Sequence, residues 1–158
     1  MTSVDLKVAL NTIPPALLDP LIEQFEEGLA EYRSGDWEKV GIKAGKFSEI
    51  AFNICDGHAK GTFEAAPTKP RNMFEACRAL EQHNKTKGRS ICIQIPRILM
   101  GLYELRNNRA IGHVSGEIDP NHMDAEFFLR GMKWVLSEFI RFFSQKPIDE
   151  SRALVEAV

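Results

Sequence analysis

The chain has 158 residues with a formal net charge of −2, and 44% of its residues are hydrophobic and 27% charged. That length suits one domain, and the composition excludes a mainly disordered protein. No run of about 18 apolar residues and no basic segment followed by an apolar one is present, so neither a membrane span nor a secretory signal is predicted. Three cysteines without CxxC spacing favour a reducing compartment, and we expect a cytoplasmic protein.

Apolar residues recur at helical spacing along most of the chain. The predicted helices cover residues 15–33, 37–58, 71–82, 96–106 and 120–144, with a weak tail helix over 149–158. Gly35 is expected to end the first helix and Asp36 to cap the second. The helix over 71–82 is expected to bury Phe74 and Cys77, with Met73 and Leu80 as further candidates, and residues 84–90 are expected to form a polar, basic loop. Asp119, followed by Pro120, is the expected N-cap of the last long helix.

Residues 91–95 contain Ile91, Ile93 and Ile95, which alternate as in a strand, but no other segment offers a partner strand. We therefore interpret them as the lead-in to a helix with Pro96 in its first turn. The predicted fold class is all-α, an antiparallel bundle of four main helices with short additional helices. It forms a single domain over residues 1–158, with a core of about 15–146 and a tail over 147–158.

Charge is strongly segregated along the chain. Residues 69–109 contain nine basic and three acidic residues, a net charge of +6, whereas the remainder contains 11 basic and 19 acidic residues, a net charge of −8. Such asymmetry indicates a local anionic partner, although a solvated charged surface would have the same pattern.

The most informative segment begins at Arg106. Arg106 follows Leu102 by four residues and therefore shares the apolar face of its helix, where a guanidinium must be paired or bind an anion. Asn107 comes next, and His113 follows seven residues after Arg106. An arginine with a nearby histidine can neutralise a phosphate and titrate near neutral pH. A helix that simply ends at these polar residues is the structural alternative.

Arg106, Asn107 and His113 resemble the Arg-x(4–6)-His motif of the HEPN domains. The segments at 34–37, 43–49 and 116–120 are similar to the abortive-infection branch of that family, and the resemblance covers most of residues 30–145. It implies a metal-independent endoribonuclease of a prokaryotic defence or toxin–antitoxin system, which cleaves RNA by attack of the 2′-hydroxyl. It also implies RNA and an antitoxin or defence-system protein as partners. Because one arginine and one histidine per chain make a sparse site for phosphoryl transfer, we also expect a two-fold homodimer whose site straddles the interface. No convincing cluster of residues has metal-ligand spacing, so no metal or cofactor is expected.

The resemblance assigns a role to each candidate residue. His113 would be the general acid or base, Arg106 would stabilise charge on the phosphorane, and Asn107 would orient the phosphate or His113. Glu49 would be a polar partner of Arg106. The residues expected to hold the RNA backbone are Arg109, Lys85, Lys87 and Arg89. Phe127, Phe128 and Trp134 are expected at the interface of a two-fold homodimer.

Other pairs match parts of a site but carry less weight. Arg78 and His83 also satisfy the Arg-x(4–6)-His spacing, but Ala79 stands where the motif has a polar residue. Cys55 and His58 are one edge of a possible metal site, although both also fit an apolar stripe. The alternative function is a non-catalytic HEPN-like helical module that binds a nucleotide, RNA or a partner protein as a defence-system accessory subunit.

Overall fold

The computed structural model describes residues 3–114 and 116–158, and these ranges are built from helices joined by loops. The α-helices are α1 (Ser3–Ala9), α2 (Pro15–Ser34), α3 (Trp37–Lys60), α4 (Met73–Leu80), α5 (Asn84–Lys87), α6 (Ile95–Asn108), α7 (His122–Ser144) and α8 (Ile148–Glu156). Within the described ranges there is no strand, which confirms the predicted all-α class. The four main helices are α2, α3, α6 and α7.

Helix α3 packs against α2, α6 and α7 and so lies at the centre of the bundle. Only Gly35 and Asp36 separate α2 from α3, which makes the two helices a hairpin. Gly35 adopts the left-handed conformation with φ of 79°, and the Asp36 side chain accepts a hydrogen bond from Lys39 N at 3.1 Å. The predicted end of α2 and the predicted N-cap of α3 are therefore confirmed.

Large aromatic side chains fill the space between the main helices. Phe25, Phe47, Phe128 and Phe139 are all completely buried. The expected place of Phe128 on a dimer surface is therefore wrong, because its ring packs into the core opposite Gly41 of α3. Its neighbour Phe127 lies on the outer side of α7 and is 47% exposed.

Helix α4 buries three of the four residues that the sequence offers for its core face, and Phe74 is the exception. Met73, Cys77 and Leu80 are buried, and their spacing of four and three residues defines one face of the helix. Phe74 lies about 100° around the helix from Met73, and its side chain is 56% exposed. The prediction that Phe74 is buried is wrong, because α4 buries only the face of Met73, Cys77 and Leu80, and Phe74 lies outside it.

Residues 84–87 and 90–94 are helical, whereas the sequence predicts a loop over 84–90 and a helical lead-in over 91–95. Asn84–Lys87 forms the short helix α5, where the sequence predicted a loop, and Ser90–Gln94 forms a π-helical turn that leads into α6. The predicted helical lead-in to Pro96 is thus confirmed. Proline has no backbone N–H, so the turn before Pro96 cannot keep a regular α-helical hydrogen-bond ladder. Ser90 Oγ donates a hydrogen bond to Glu138 Oε1 at 2.5 Å, which ties this turn to α7.

Helix α7 begins later than the sequence predicts. Asn121, rather than Asp119, is its N-cap: the Asn121 side chain accepts a hydrogen bond from Asp124 N at 3.0 Å. Asp119 and Pro120 lie in the preceding loop. The prediction of Asp119 as the cap is wrong because Asn121 is the residue whose side chain reaches an unpaired N–H of the first turn.

The two ends of the chain add to the core beyond the predicted range. Leu6 of α1 and Leu10 are fully buried, and Val155 of α8 is 1% exposed. Within residues 3–114 and 116–158, every helix is too short or too polar to cross a lipid bilayer.

Candidate functional site

Arg106 lies one turn after the buried residues of α6 and crosses the surface of α3 at Gly45. A β-carbon at Gly45 would lie 3.0 Å from Arg106 Cγ and 3.1 Å from its Nε. The missing side chain at Gly45 therefore makes room for the arginine stem, which is half-buried. The guanidinium continues toward the end of α6, where Arg106 Nη1 donates a hydrogen bond to Asn107 Oδ1 at 3.0 Å.

The loop after α6 brings His113 back to the end of α6, beside Asn107. Ile111 is fully buried against Gly41 of α3, and Gly112 N donates a hydrogen bond to Glu38 Oε1 at 2.9 Å. Gly112 has a φ of 74°, a left-handed conformation that turns the chain there and favours glycine. His113 follows, with its Nε2 3.2 Å from Asn107 O. Asn107 thus contacts both Arg106 and His113, and the structure brings the three residues together.

The contact of His113 fixes which ring nitrogen carries a proton. A backbone carbonyl can only accept hydrogen bonds, so His113 Nε2 is the donor to Asn107 O. In the neutral ring, Nδ1 is then the nitrogen that can accept a proton. The imidazole is exposed, so this nitrogen is within reach of a molecule that binds at the surface.

Glu49 contacts Tyr103 rather than Arg106. Tyr103 Oη donates a hydrogen bond to Glu49 Oε1 at 2.8 Å, and no hydrogen bond or ion pair joins Glu49 to Arg106 in the described ranges. Burial and then the Glu49 carboxylate raise the pKa of Tyr103 to about 12, so its hydroxyl stays protonated. Tyr103 lies three residues before Arg106 on the same side of α6. Glu49 therefore reaches this side of α6 through Tyr103, and not through the predicted contact with Arg106. Nothing in the sequence pattern indicates that Tyr103 would bind Glu49.

Arg109 faces inward rather than toward solvent. Its Nε lies 3.3 Å from Asp124 Oδ2, and the two side chains are 20% and 4% exposed. Within the described ranges Arg109 Nε forms no hydrogen bond, so the contact is ionic rather than hydrogen-bonded. Arg109 therefore links the loop after α6 to the first turn of α7, which limits its reach toward the predicted RNA backbone.

Lys85, Lys87 and Arg89 lie at the far end of α6 from Arg106. Seventeen residues of mostly helical chain separate Arg89 from Arg106, a distance of roughly 25 Å. Lys85 and Arg89 are exposed and Lys87 is half-buried. These cations cannot contact the phosphate that Arg106 would bind, and they could only hold a more distant part of an extended strand.

Sequence reasoning missed a groove that ends at Asn107. The groove has a volume of about 570 Å³ and lies between the 69–74 segment and α6. Its residues are Lys69, Pro70, Arg71, Asn72, Met73, Phe74, Met100, Gly101, Tyr103, Glu104 and Asn107. The buried Asn53 fixes this segment, since its side chain accepts a hydrogen bond from Thr68 N at 2.7 Å and donates one to Thr68 O at 3.1 Å. The local excess of basic residues was the sequence signal that could have indicated this groove. Nothing in the sequence indicated that Asn53 binds Thr68.

The less favoured pairs lie elsewhere. Arg78 contacts the Phe74 ring, 5.7 Å from its centroid, while His83 lines a separate groove of about 790 Å³. Cys55 is fully buried, and the His58 ring packs edge-on against Phe142 at a centroid distance of 5.2 Å. Burial lowers the pKa of His58.

The fold and site together define an all-α bundle with a partly exposed arginine–asparagine–histidine cluster beside a cationic groove. No protein-family model, curated protein or solved structure matches the chain at a significant level.

Proposed function

We propose that this chain is a metal-independent endoribonuclease of the HEPN type that acts in a prokaryotic defence or toxin–antitoxin system. The observation that carries the proposal is the shared contact of Arg106 and His113 with Asn107, at the end of a groove with exposed cations. A guanidinium can stabilise charge on a phosphate, and an imidazole can transfer a proton near neutral pH. These are the two chemical requirements for phosphoryl transfer within an RNA strand.

In the proposed reaction the ribose 2′-hydroxyl attacks the adjacent phosphorus and the bond from phosphorus to O5′ breaks. His113 accepts the proton of the 2′-hydroxyl at Nδ1, because Nε2 donates to Asn107 O. Arg106 binds the non-bridging phosphate oxygens as their charge increases. The leaving O5′ takes a proton from a second acid, and the products carry a 2′,3′-cyclic phosphate and a 5′-hydroxyl.

The second acid is supplied by another copy of the chain in a two-fold homodimer. An apolar row on the outer side of α7 supports this assembly: Met123, Phe127 and Trp134 are 68%, 47% and 42% exposed. Their spacing of four and seven residues places them on one side of the helix. Exposed apolar rows of this kind mark interaction surfaces, and two-fold symmetry is the commonest way for identical chains to cover one.

The test is incubation of the purified protein with unstructured RNA in excess chelator, followed by identification of the product ends. We expect cleavage products with 2′,3′-cyclic phosphate and 5′-hydroxyl ends, and none with Arg106→Ala. Activity that disappears in chelator and returns with magnesium or manganese would contradict the mechanism.

The alternative is a non-catalytic HEPN-like module that binds a nucleotide, RNA or a partner protein. The hydrogen bond that Arg106 Nη1 gives to Asn107 favours it, since a guanidinium held within the protein can serve to shape a binding surface. The same experiment separates the two functions. RNA that is bound and recovered intact would support the binding module and contradict the nuclease.

A further inference from the structure

We infer that the groove between the 69–74 segment and α6 is a nucleotide-binding subsite, in which Phe74 stacks on a base and Lys69 and Arg71 bind the flanking phosphates. The inference rests on the proposed function and adds to it the surface that would hold the RNA beside Arg106. It assigns binding roles to Phe74, Lys69 and Arg71, which the sequence did not mark as site residues.

Phe74 is exposed although it is a large apolar residue next to the buried face of α4. Its side chain is 56% exposed and lines the groove, while the adjacent Met73 is 5% exposed. Arg78 contacts the ring but does not line the groove, so it approaches Phe74 from another side. The ring is therefore presented to the groove. Exposed aromatic rings are the usual platforms on which proteins stack unpaired bases.

Cations outnumber anions along the groove. Lys69 and Arg71 are exposed, and neither forms an ion pair within the described parts of the chain. Glu104 is the one carboxylate among the groove residues, and its Oε1 accepts a hydrogen bond from Asn108 Nδ2 at 2.6 Å. Two unpaired cations beside an aromatic ring fit a nucleotide, which combines a planar base with anionic phosphates.

Two amide groups add hydrogen-bond donors to this surface. The Asn72 side-chain oxygen accepts from Glu75 N at 3.1 Å, and the Asn107 side-chain oxygen accepts from Arg106 Nη1 at 3.0 Å. These contacts orient the two amides, and neither Nδ2 group forms a hydrogen bond in the described parts of the chain, so each can donate to a base or phosphate oxygen.

The size and position of the groove agree with this ligand. Its volume of about 570 Å³ falls within the range of about 300–1,000 Å³ that small-molecule sites occupy. From Met100 to Asn107 the groove follows α6 for about 10 Å. Asn107 lines the groove and also contacts Arg106 and His113, so a strand bound in the groove lies next to this cluster.

The test measures binding without cleavage. A fluorescein-labelled octanucleotide of 2′-O-methyl RNA lacks the attacking hydroxyl, and its affinity for the full chain is measured by fluorescence anisotropy. Phe74→Ala is expected to raise the Kd about 5- to 150-fold through the loss of one stacked base. Phe74→Trp is expected to stay within about twofold of the original protein, because a larger ring still stacks. Ile148→Ala, at another exposed apolar residue, is the control and is expected to leave the Kd unchanged.

The phosphate contacts have a separate readout. Replacing both Lys69 and Arg71 by alanine is expected to lower the slope of log affinity against log salt by about 1.4, which corresponds to two phosphate contacts on a single strand. Phe74, Lys69 and Arg71 are all exposed, so circular dichroism is expected to show an unchanged fold in these variants.

The outcomes distinguish the subsite from the nuclease. An octanucleotide affinity that Phe74→Ala leaves unchanged would overturn the subsite, even if unmodified RNA is cleaved. No binding by the original protein would also overturn it and would direct attention to a protein ligand. Binding that weakens as expected, together with unmodified RNA that stays intact, would support the subsite and refute the proposed nuclease.

Discussion

Replacing Arg109 by alanine is expected to destabilise the protein, because it leaves a buried carboxylate without its cation. Asp124 is 4% exposed and lies 3.3 Å from Arg109 Nε. Removing one partner of a buried pair costs about 3–5 kcal/mol. Here the cost falls toward about 2–3 kcal/mol, because Asp124 keeps a hydrogen bond from Asn121 Nδ2 at 2.9 Å and lies at the positive end of α7.

The loss is measured by urea and thermal unfolding followed by circular dichroism. For a chain of this size the expected fall in Tm is about 4–12 °C. Arg130→Ala is the matched control: its side chain is 79% exposed and its Nη2 lies 3.7 Å from Glu126 Oε1, so its loss is expected to cost under about 0.5 kcal/mol. Adding Asp124→Asn to Arg109→Ala is expected to recover part of the stability. Equal stability of the Arg109→Ala and Arg130→Ala proteins would refute this reasoning. Lost RNA affinity without lost stability would instead restore Arg109 as an RNA contact.

Three further predictions concern the site and the pH dependence of stability. His113→Ala is expected to abolish RNA cleavage with an unchanged circular dichroism spectrum, whereas His83→Ala is expected to retain the cleavage. Equal losses of cleavage in the two variants would contradict the choice of Arg106 and His113 over Arg78 and His83. Mixing Arg106→Ala chains with His113→Ala chains is expected to restore part of the cleavage that each variant lacks. A monomeric mass by light scattering, with undiminished cleavage by the original protein, would contradict a shared site. Burial raises the pKa of the Cys77 thiol from 9.0 to about 12, and burial with a carboxylate neighbour raises that of Tyr103 from 10.0 to about 12. The unfolded chain therefore loses these protons first, and the urea midpoint is expected to fall as pH rises from about 9 to about 12. Cys77→Ala and Tyr103→Phe should each reduce that fall, and a flat profile in the original protein would contradict the assignment.

The main helices could be predicted because their signals are local. Gly35 and Asp36 end one helix and cap the next through bonds to residues within four positions along the chain. Phe74 could not be placed in the same way. Met73 and Phe74 are adjacent and both apolar, so the buried one is decided by the helices on which α4 packs.

The same distinction applies to the candidate site. Arg106, Asn107 and His113 lie within eight residues, so their proximity could be predicted from spacing. Contacts between segments that are distant along the chain could not be predicted in this way. Arg109 meets a carboxylate fifteen positions away, across a loop whose path no periodic pattern indicates. The 69–74 segment likewise follows Thr68, which the buried Asn53 holds from fifteen positions away.

One face of α3 determines the geometry of the whole cluster. Glu38, Gly41, Gly45 and Glu49 follow one another at intervals of three, four and four residues, and they contact, in turn, Gly112, Ile111, Arg106 and Tyr103. A residue inserted into α3 between Gly41 and Gly45 would rotate the remainder of the helix by about 100° and turn Gly45 and Glu49 away from α6. A residue inserted near position 65, in the exposed loop, would leave this alignment intact. Insertions and deletions in proteins related to this one are therefore expected to occur in the loops around the site and not within α3.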